Sequence, residues 1–196
     1  MKKILLVLLL FRTIPLSAGN LPVERARGLF LVFGIGPRLP VSSFSNQSSF
    51  GYGFNAELDY TDNEILPFFF FTKIGFQQFP GSQTFYQSSD YSNYSINSFP
   101  LTIGARYYFT PLIENVVLFM PVVEFSAAYN FTQVLHQFKA GTGRSNFVEN
   151  NSRLGVSGGV GISMFLLEVM ATYNYFQSTQ YVGVDFNVRI PLYIVF

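Results

Sequence analysis

Along most of this chain apolar residues take every second position, and they hold that phase for the length of a strand. In "FPLTIGARYYF", Phe99, Leu101, Ile103, Ala105, Tyr107 and Phe109 share one face, with Thr102, Gly104 and Arg106 on the other. "FGYGFNAELDY" repeats the pattern, setting Phe50, Tyr52, Phe54, Ala56, Leu58 and Tyr60 against Gly51, Gly53, Asn55, Glu57 and Asp59. At the C-terminus, "QYVGVDFNVRIPLYIVF" sets Val182, Val184, Phe186, Val188, Ile190, Leu192, Ile194 and Phe196 against Gly183, Asp185, Asn187 and Arg189.

A period of two marks strands whose faces meet different surroundings. Such runs predict about eight strands, near residues 27–36, 50–61, 66–79, 98–109, 116–131, 153–164, 167–177 and 180–196. The connections alternate in kind. After the second, fourth and sixth strands they are short ("TDNEILP", "TPLIEN", "MFLL"); after the first, third and fifth they are long and polar ("PRLPVSSFSNQSS", "PGSQTFYQSSDYSNYSINS", "TQVLHQFKAGTGRSNFVENNS"). The last turn, near Ser178 to Gln180, is a short exception on the long-loop rim. An even strand count with short turns on one rim and long loops on the other predicts an all-β fold, an eight-stranded antiparallel up-and-down transmembrane β-barrel.

Composition says which face meets lipid. Charged residues are 12% of the chain, about half the usual share, while aromatics reach 18% with 24 Phe and 12 Tyr. The polar face is mainly Gly, Ser, Thr and Asn, too poor in Lys and Glu for a surface bathed in water. The apolar face therefore points outward, and Tyr60, Phe68, Phe99, Phe109 and Phe196 read as interfacial girdles. Strand parity then sends Glu57, Asp59, Lys73, Arg106, Glu124, Glu168, Asp185 and Arg189 to the interior. Eight strands leave a lumen that side chains can fill, so these charges are expected to form a paired plug, the alternative being a gated ion path.

The N-terminus "MKKILLVLLLFRTIPLSAGN" has a basic start, an apolar run from Ile4 to Phe11 and small residues at 17–19. It reads as a cleaved signal peptide over 1–19, followed by a barrel domain over 20–196. Without Lys2, Lys3 and Arg12 the remainder has nine basic and eleven acidic residues, a net charge of −2. No basic stripe is present to neutralise phosphates, so nucleic acid is excluded as a partner. Zero cysteines exclude both a disulfide scaffold and a lipid-anchored cysteine.

The leader, "FPLTIGARYYF" and a terminal strand "VDFNVRIPLYIVF" ending in Phe together resemble the small eight-stranded bacterial outer-membrane barrels of the OmpX, Ail and OmpA membrane-domain type. The resemblance implies an outer-membrane protein in contact with lipid, and a monomer is expected. It also implies that Leu192, Ile194 and Phe196 form the C-terminal signal read by the barrel assembly machinery. Barrels of this type share topology and differ in activity, so the resemblance assigns no function.

Chemistry has few candidates. A resemblance to lipid A deacylase barrels would need Ser two residues after the sole histidine, His136, and Phe138 stands there. His136 reads as a loop residue without a catalytic partner, and no enzyme is expected. The glycine-rich "RLGVSGGVGIS" lacks the Lys and following helix of a phosphate loop and reads as wall packing. One His and scattered carboxylates predict no metal or other cofactor, loop acids Asp90 and Glu149 being the open question for calcium. The second long loop mixes Ser, Asn and Gln with Tyr86, Tyr91 and Tyr94, a blend suited to binding an extracellular ligand. The expected function is thus an outer-membrane barrel with a plugged interior and a structural or surface-interaction role, adhesion or ligand binding, through its loops. A narrow channel or hydrophobic-ligand conduit ranks second and a lipid A-modifying enzyme third.

Overall fold

A computed structural model describes residues 27–64, 66–111, 119–164 and 166–195. Eight strands follow in order: β1 (Arg27–Val41), β2 (Gly51–Asp62), β3 (Leu66–Pro80), β4 (Tyr91–Tyr108), β5 (Phe119–Phe138), β6 (Phe147–Met164), β7 (Leu167–Phe176) and β8 (Thr179–Val195). A short helix, α1 (Gln83–Ser88), lies between β3 and β4. Each strand pairs antiparallel with its sequence neighbours, and β8 returns to β1 from Arg27↔Val195 to Val41↔Gln180, closing the barrel. Closure leaves no free strand edge. In hydrocarbon, where no water can serve an unpaired amide, that is the condition a spanning sheet must meet.

The two faces differ as the alternation predicts. Phe33, Ile35, Phe54, Ile74, Ile103, Phe125, Val160 and Phe186 are exposed on the outer wall, whereas Glu57, Asp59, Ser98, Arg106, Ser126, Asn130 and Ser163 are buried in the lumen. A polar inside behind an apolar outside inverts the order of a water-soluble protein, and lipid is the solvent that such a surface fits. Of the girdle aromatics, Tyr60, Phe68 and Phe109 are exposed at the short-turn rim. Phe99 is exposed well inside β4, and Phe196 lies outside the described residues.

At the long-loop rim the strands run further than the sequence pattern predicts. β1 continues to Val41 instead of 36, β4 begins at Tyr91 instead of 98, β5 reaches Phe138 instead of 131, and β6 begins at Phe147 instead of 153. Much of the expected loop length is therefore sheet. The cause is a reversal of faces. Phe99 pairs with Phe131 and, two residues higher, Asn97 pairs with Gln133; these outward positions change there from apolar to polar. Inward, the same strands change from Ser98, Asn130 and Thr132 to Tyr94, Ile96 and Val134. Below this level the wall meets lipid, and above it water, so the apolar face moves from outside to inside while the ladder continues unbroken.

Above the reversal, Tyr94, Ile96 and Val134 join Phe44, Phe79, Phe176 and Tyr181 in one buried apolar cluster. Phe44 reaches it from a single 3-10 turn, Ser42–Asn46, in the first connection. The first and second connections are hydrogen-bonded together, Ser49 N to Pro80 O at 2.8 Å and Ser82 N to Gln47 O at 2.9 Å. Ser82 caps α1 by accepting from Phe85 N at 3.2 Å. Lys139 donates to the carbonyls of Tyr86 at 3.0 Å and Ser89 at 2.8 Å, tying the third connection to the end of the helix.

Gly104 shows how tightly the lumen is filled. A Cβ there would stand 2.6 Å from Phe71 Cζ and 2.6 Å from the Phe125 carbonyl oxygen. Phe71 occupies that space, 2% exposed, with the Arg106 guanidinium 4.8 Å from its ring centroid. Gly104→Val should therefore displace Phe71 and leave most of the protein unable to show the heat-dependent gel shift of a closed barrel; a full shift would contradict this packing.

Candidate functional site

The lumen collects the eight charges that parity directs inward. Arg106, on β4, lies at their centre with no exposed side-chain surface. Its Nη1 is 2.9 Å from Glu57 Oε1, 3.3 Å from Glu168 Oε1 and 3.4 Å from Asp59 Oδ2, and its Nη2 is 2.7 Å from Glu124 Oε2. Lys73 reaches Glu57 at 3.1 Å, while Arg189 reaches Asp59 and Glu168 at 3.2 Å each. Tyr108 donates to Glu168 at 2.8 Å and is itself hydrogen-bonded to Arg189. Three strands, β2, β5 and β7, thus supply four carboxylates to one guanidinium. Such a cluster tolerates burial only when its charges and hydrogen-bonding capacity are met together.

Asp185 belongs to a second group. Its partner is Arg38, 2.6 Å away and 3% exposed, with Asn55 donating to the same oxygen at 3.1 Å. Arg38 is a lumen residue that the sequence reading missed, because "PRLP" looked like the start of a loop. With it, four bases and five acids fill the interior. A cavity of about 30 Å³, room for little more than one water, remains between Arg38, Lys73, Glu124 and Asp185. Above it Phe79, Phe176 and Tyr181 close the lumen, each at most 1% exposed.

Over that aromatic floor the mouth holds a cavity of about 290 Å³. His136 lies here on β5, 8% exposed and facing inward, rather than in a loop. The Tyr91 hydroxyl is hydrogen-bonded to its Nδ1 at 3.0 Å, Glu149 Oε2 is 3.3 Å from its Nε2, and Phe147 stacks on its ring at 4.3 Å. The expectation of an isolated loop histidine is thus corrected. Of the three binding candidates, Tyr94 is buried, and Tyr86 is half-buried with its hydroxyl on the Tyr94 carbonyl at 2.8 Å. Tyr91 is stacked between Phe85 and Phe138, with centroids 5.2 and 4.7 Å away. Phe85, Tyr91 and Tyr94 line one wall of the mouth, and Tyr86 is held behind them by its bond to the Tyr94 carbonyl. The signal for it was present in the even-numbered apolar run Tyr94, Ile96, Val134, His136 and Phe138, out of phase with the lipid face below.

Leu192 and Ile194 are exposed at the end of β8, and Phe196 lies outside the described residues. Ile194 pairs with Gly28 and Tyr193 with Leu29, but Phe30 pairs with Pro191, which leaves Leu192 at a bulge. Among the described residues no three His, Cys, Asp or Glu side chains form a metal-binding group. Asp90 is 3.7 Å from Arg144, and Glu149 accepts from Asn151 at 2.8 Å.

No protein-family model matches the chain. No curated protein sequence matches it either. Among solved structures it is similar to Neisserial surface protein A, at 17% identity over 85% of this chain and 99% of that one, with a TM-score of 0.54. Ail of Yersinia pestis in complex with the heparin analogue sucrose octasulfate (11% identity, 85% and 99% covered, TM-score 0.48) and the N-terminal β-barrel domain of OprF from Pseudomonas aeruginosa (9%, 84% and 99%, 0.45) align less closely. The chain therefore has the fold of the small eight-stranded outer-membrane barrels. At such identity the likeness shows the fold alone, and the side chains of the lumen need a test of their own. Arg106→Ala strands four carboxylates and should cost roughly 3–5 kcal/mol in reversible urea unfolding from lipid vesicles. An unchanged unfolding midpoint would contradict the pairing.

Proposed function

We propose that the chain is a bacterial outer-membrane protein, exported by a cleaved leader over 1–19, that spans the bilayer as a plugged barrel. Its role is interactive, adhesion or ligand capture at the long-loop mouth, and not catalytic. The observation that carries this reading is the change of faces at Phe99↔Phe131. Beneath it a closed polar lumen is wrapped in apolar side chains; above it the same strands enclose an apolar core and project into water with a cavity at their end. An apolar outer band around closed ladders is what a bilayer-spanning barrel needs, and the likeness in fold to a Neisserial surface protein supports the reading.

The plug favours interaction over transport. Arg106 and its carboxylates fill the lumen on the short-turn side, and Phe79, Phe176 and Tyr181 close it above. Against an enzyme stands the setting of His136, whose ring nitrogens lie against Tyr91 and Glu149, with Phe138 where the deacylase pattern has Ser. The terminal residues Leu192, Ile194 and Phe196 are read as the assembly signal; Leu192 and Ile194 lie along the bulged seam where β8 meets β1.

Two measurements test this reading. Purified, heat-shifting protein in planar bilayers should give no steady conductance, whereas a large constant current would replace the plug with a channel. Removing Phe196 should cut the amount of folded barrel in the outer membrane severalfold, and normal insertion would take the signal role from the C-terminus.

A further inference from the structure

The mouth cavity has two unlike walls. One is aromatic: Phe44, Phe85, Tyr91 and Tyr94 line it. Their rings hold one another, Phe85 lying 5.0 Å from Tyr94 and 5.2 Å from Tyr91, and Phe44 resting 5.0 Å from the floor residue Phe79. That wall is rigid before any ligand arrives, which lowers the ordering cost of binding. The other wall is polar: Gln47, Glu149, Asn151 and Arg153 line it.

The polar groups are held by local bonds that use part of their capacity. Asn151 donates through Nδ2 to Glu149 Oε1 at 2.8 Å, Gln47 accepts the Tyr94 hydroxyl through Oε1 at 3.4 Å, and Arg153 donates to the Gln177 carbonyl. An amide offers two N–H donors and a carbonyl, and a guanidinium five donors, so both donors and acceptors are present on the rim. The formal charges of Glu149 and Arg153 cancel, and no metal-binding group accompanies them among the described residues. A polyanion or a bare cation gains little from such a lining.

A pyranose ring matches both walls. Its axial C–H faces are apolar and pack on aromatic side chains, while its equatorial hydroxyls each donate and accept, as paired amides, a carboxylate and a guanidinium require. At about 290 Å³ the cavity stands at the small end of the roughly 300–1,000 Å³ range of ligand sites, suited to one or two rings and too small for a longer chain to be enclosed. It is built from inward-facing positions of β4, β5 and β6 above the lipid band, with Phe44 and Gln47 of the first connection and Phe85 of α1, so it opens along the barrel axis, and headgroups of the surrounding bilayer stand outside its wall.

From this geometry we infer that the mouth is a binding site for a neutral saccharide, the terminal one or two rings of a glycan presented from solution. Phe85 and Tyr94 supply the stacking wall, and Glu149 and Asn151 bind the hydroxyls. This rests on the proposed outward orientation of the long-loop rim and gives its interactive role a ligand class.

The test uses the full chain refolded in lauryldimethylamine oxide, a detergent without sugar, with lactose, maltose and N,N′-diacetylchitobiose as probes. In saturation-transfer NMR, heat-shifting protein should pass magnetisation to the ring protons of at least one probe. Replacing the rim pair (Glu149→Ala with Asn151→Ala) should weaken that binding roughly tenfold. Both residues sit at the open end, and the heat shift confirms that the variant has folded. Transfer to none of the three sugars overturns the saccharide site and leaves the barrel reading standing. Undiminished transfer in the double variant places the sugar elsewhere and overturns the site as well. Loss of the heat shift in the unaltered chain would instead overturn the barrel reading on which the site rests.

Discussion

Toward the long-loop rim the solvent outside the wall changes partway along the strands, and the side chains on both faces follow that change. Between Phe99↔Phe131 and Asn97↔Gln133 the outer surface passes from hydrocarbon to water. A sheet that crosses this level cannot keep one pattern: apolar side chains that belong outside below it belong inside above it. The backbone does not share the conflict, because the ladders pair its amides equally well in either solvent. The result is one continuous closed barrel carrying two inverted cores.

That inversion determines what each half of the lumen contains. In the lipid-facing half the inward positions are polar because the apolar residues are spent on the outside, and a lumen too narrow for bulk water then demands that charges satisfy one another. Arg106 among Glu57, Asp59, Glu124 and Glu168 meets the demand, and Gly104 makes room for Phe71 against that guanidinium. In the water-facing half the inward positions are apolar, so the lumen seals with Phe79, Phe176 and Tyr181 and leaves an aromatic-walled mouth above. Plug and mouth are two consequences of one boundary.

The order of the strands, their closure and the inward charges were legible because parity is strict wherever one face meets lipid. The ends at the long-loop rim were not, since a run of odd-numbered apolar positions that stops at Phe99 looks like the end of a strand. Its continuation was written in the opposite phase, as Tyr94 and Ile96 on β4 and Val134 and His136 on β5. Reading those residues as loop gave His136 no partners, and ending β1 at residue 36 hid Arg38. A pairing such as Tyr91 with His136 depends on the register between two neighbouring strands, which periodicity within one strand does not contain. The polar composition around them also misled, because Ser95, Asn97 and Gln133 are outward residues of a sheet in water.

The boundary can be located directly, because the chain has no cysteine and each introduced one reports alone. Single cysteines at the outward positions Ser95, Asn97, Leu101 and Ile103 of β4, treated in intact cells with a membrane-impermeant maleimide, would map it. Rapid labelling at 95 and 97 with protection at 101 and 103 is the expected result. Equal labelling at all four positions would mean that no lipid band begins at Phe99, and the central claim would fail.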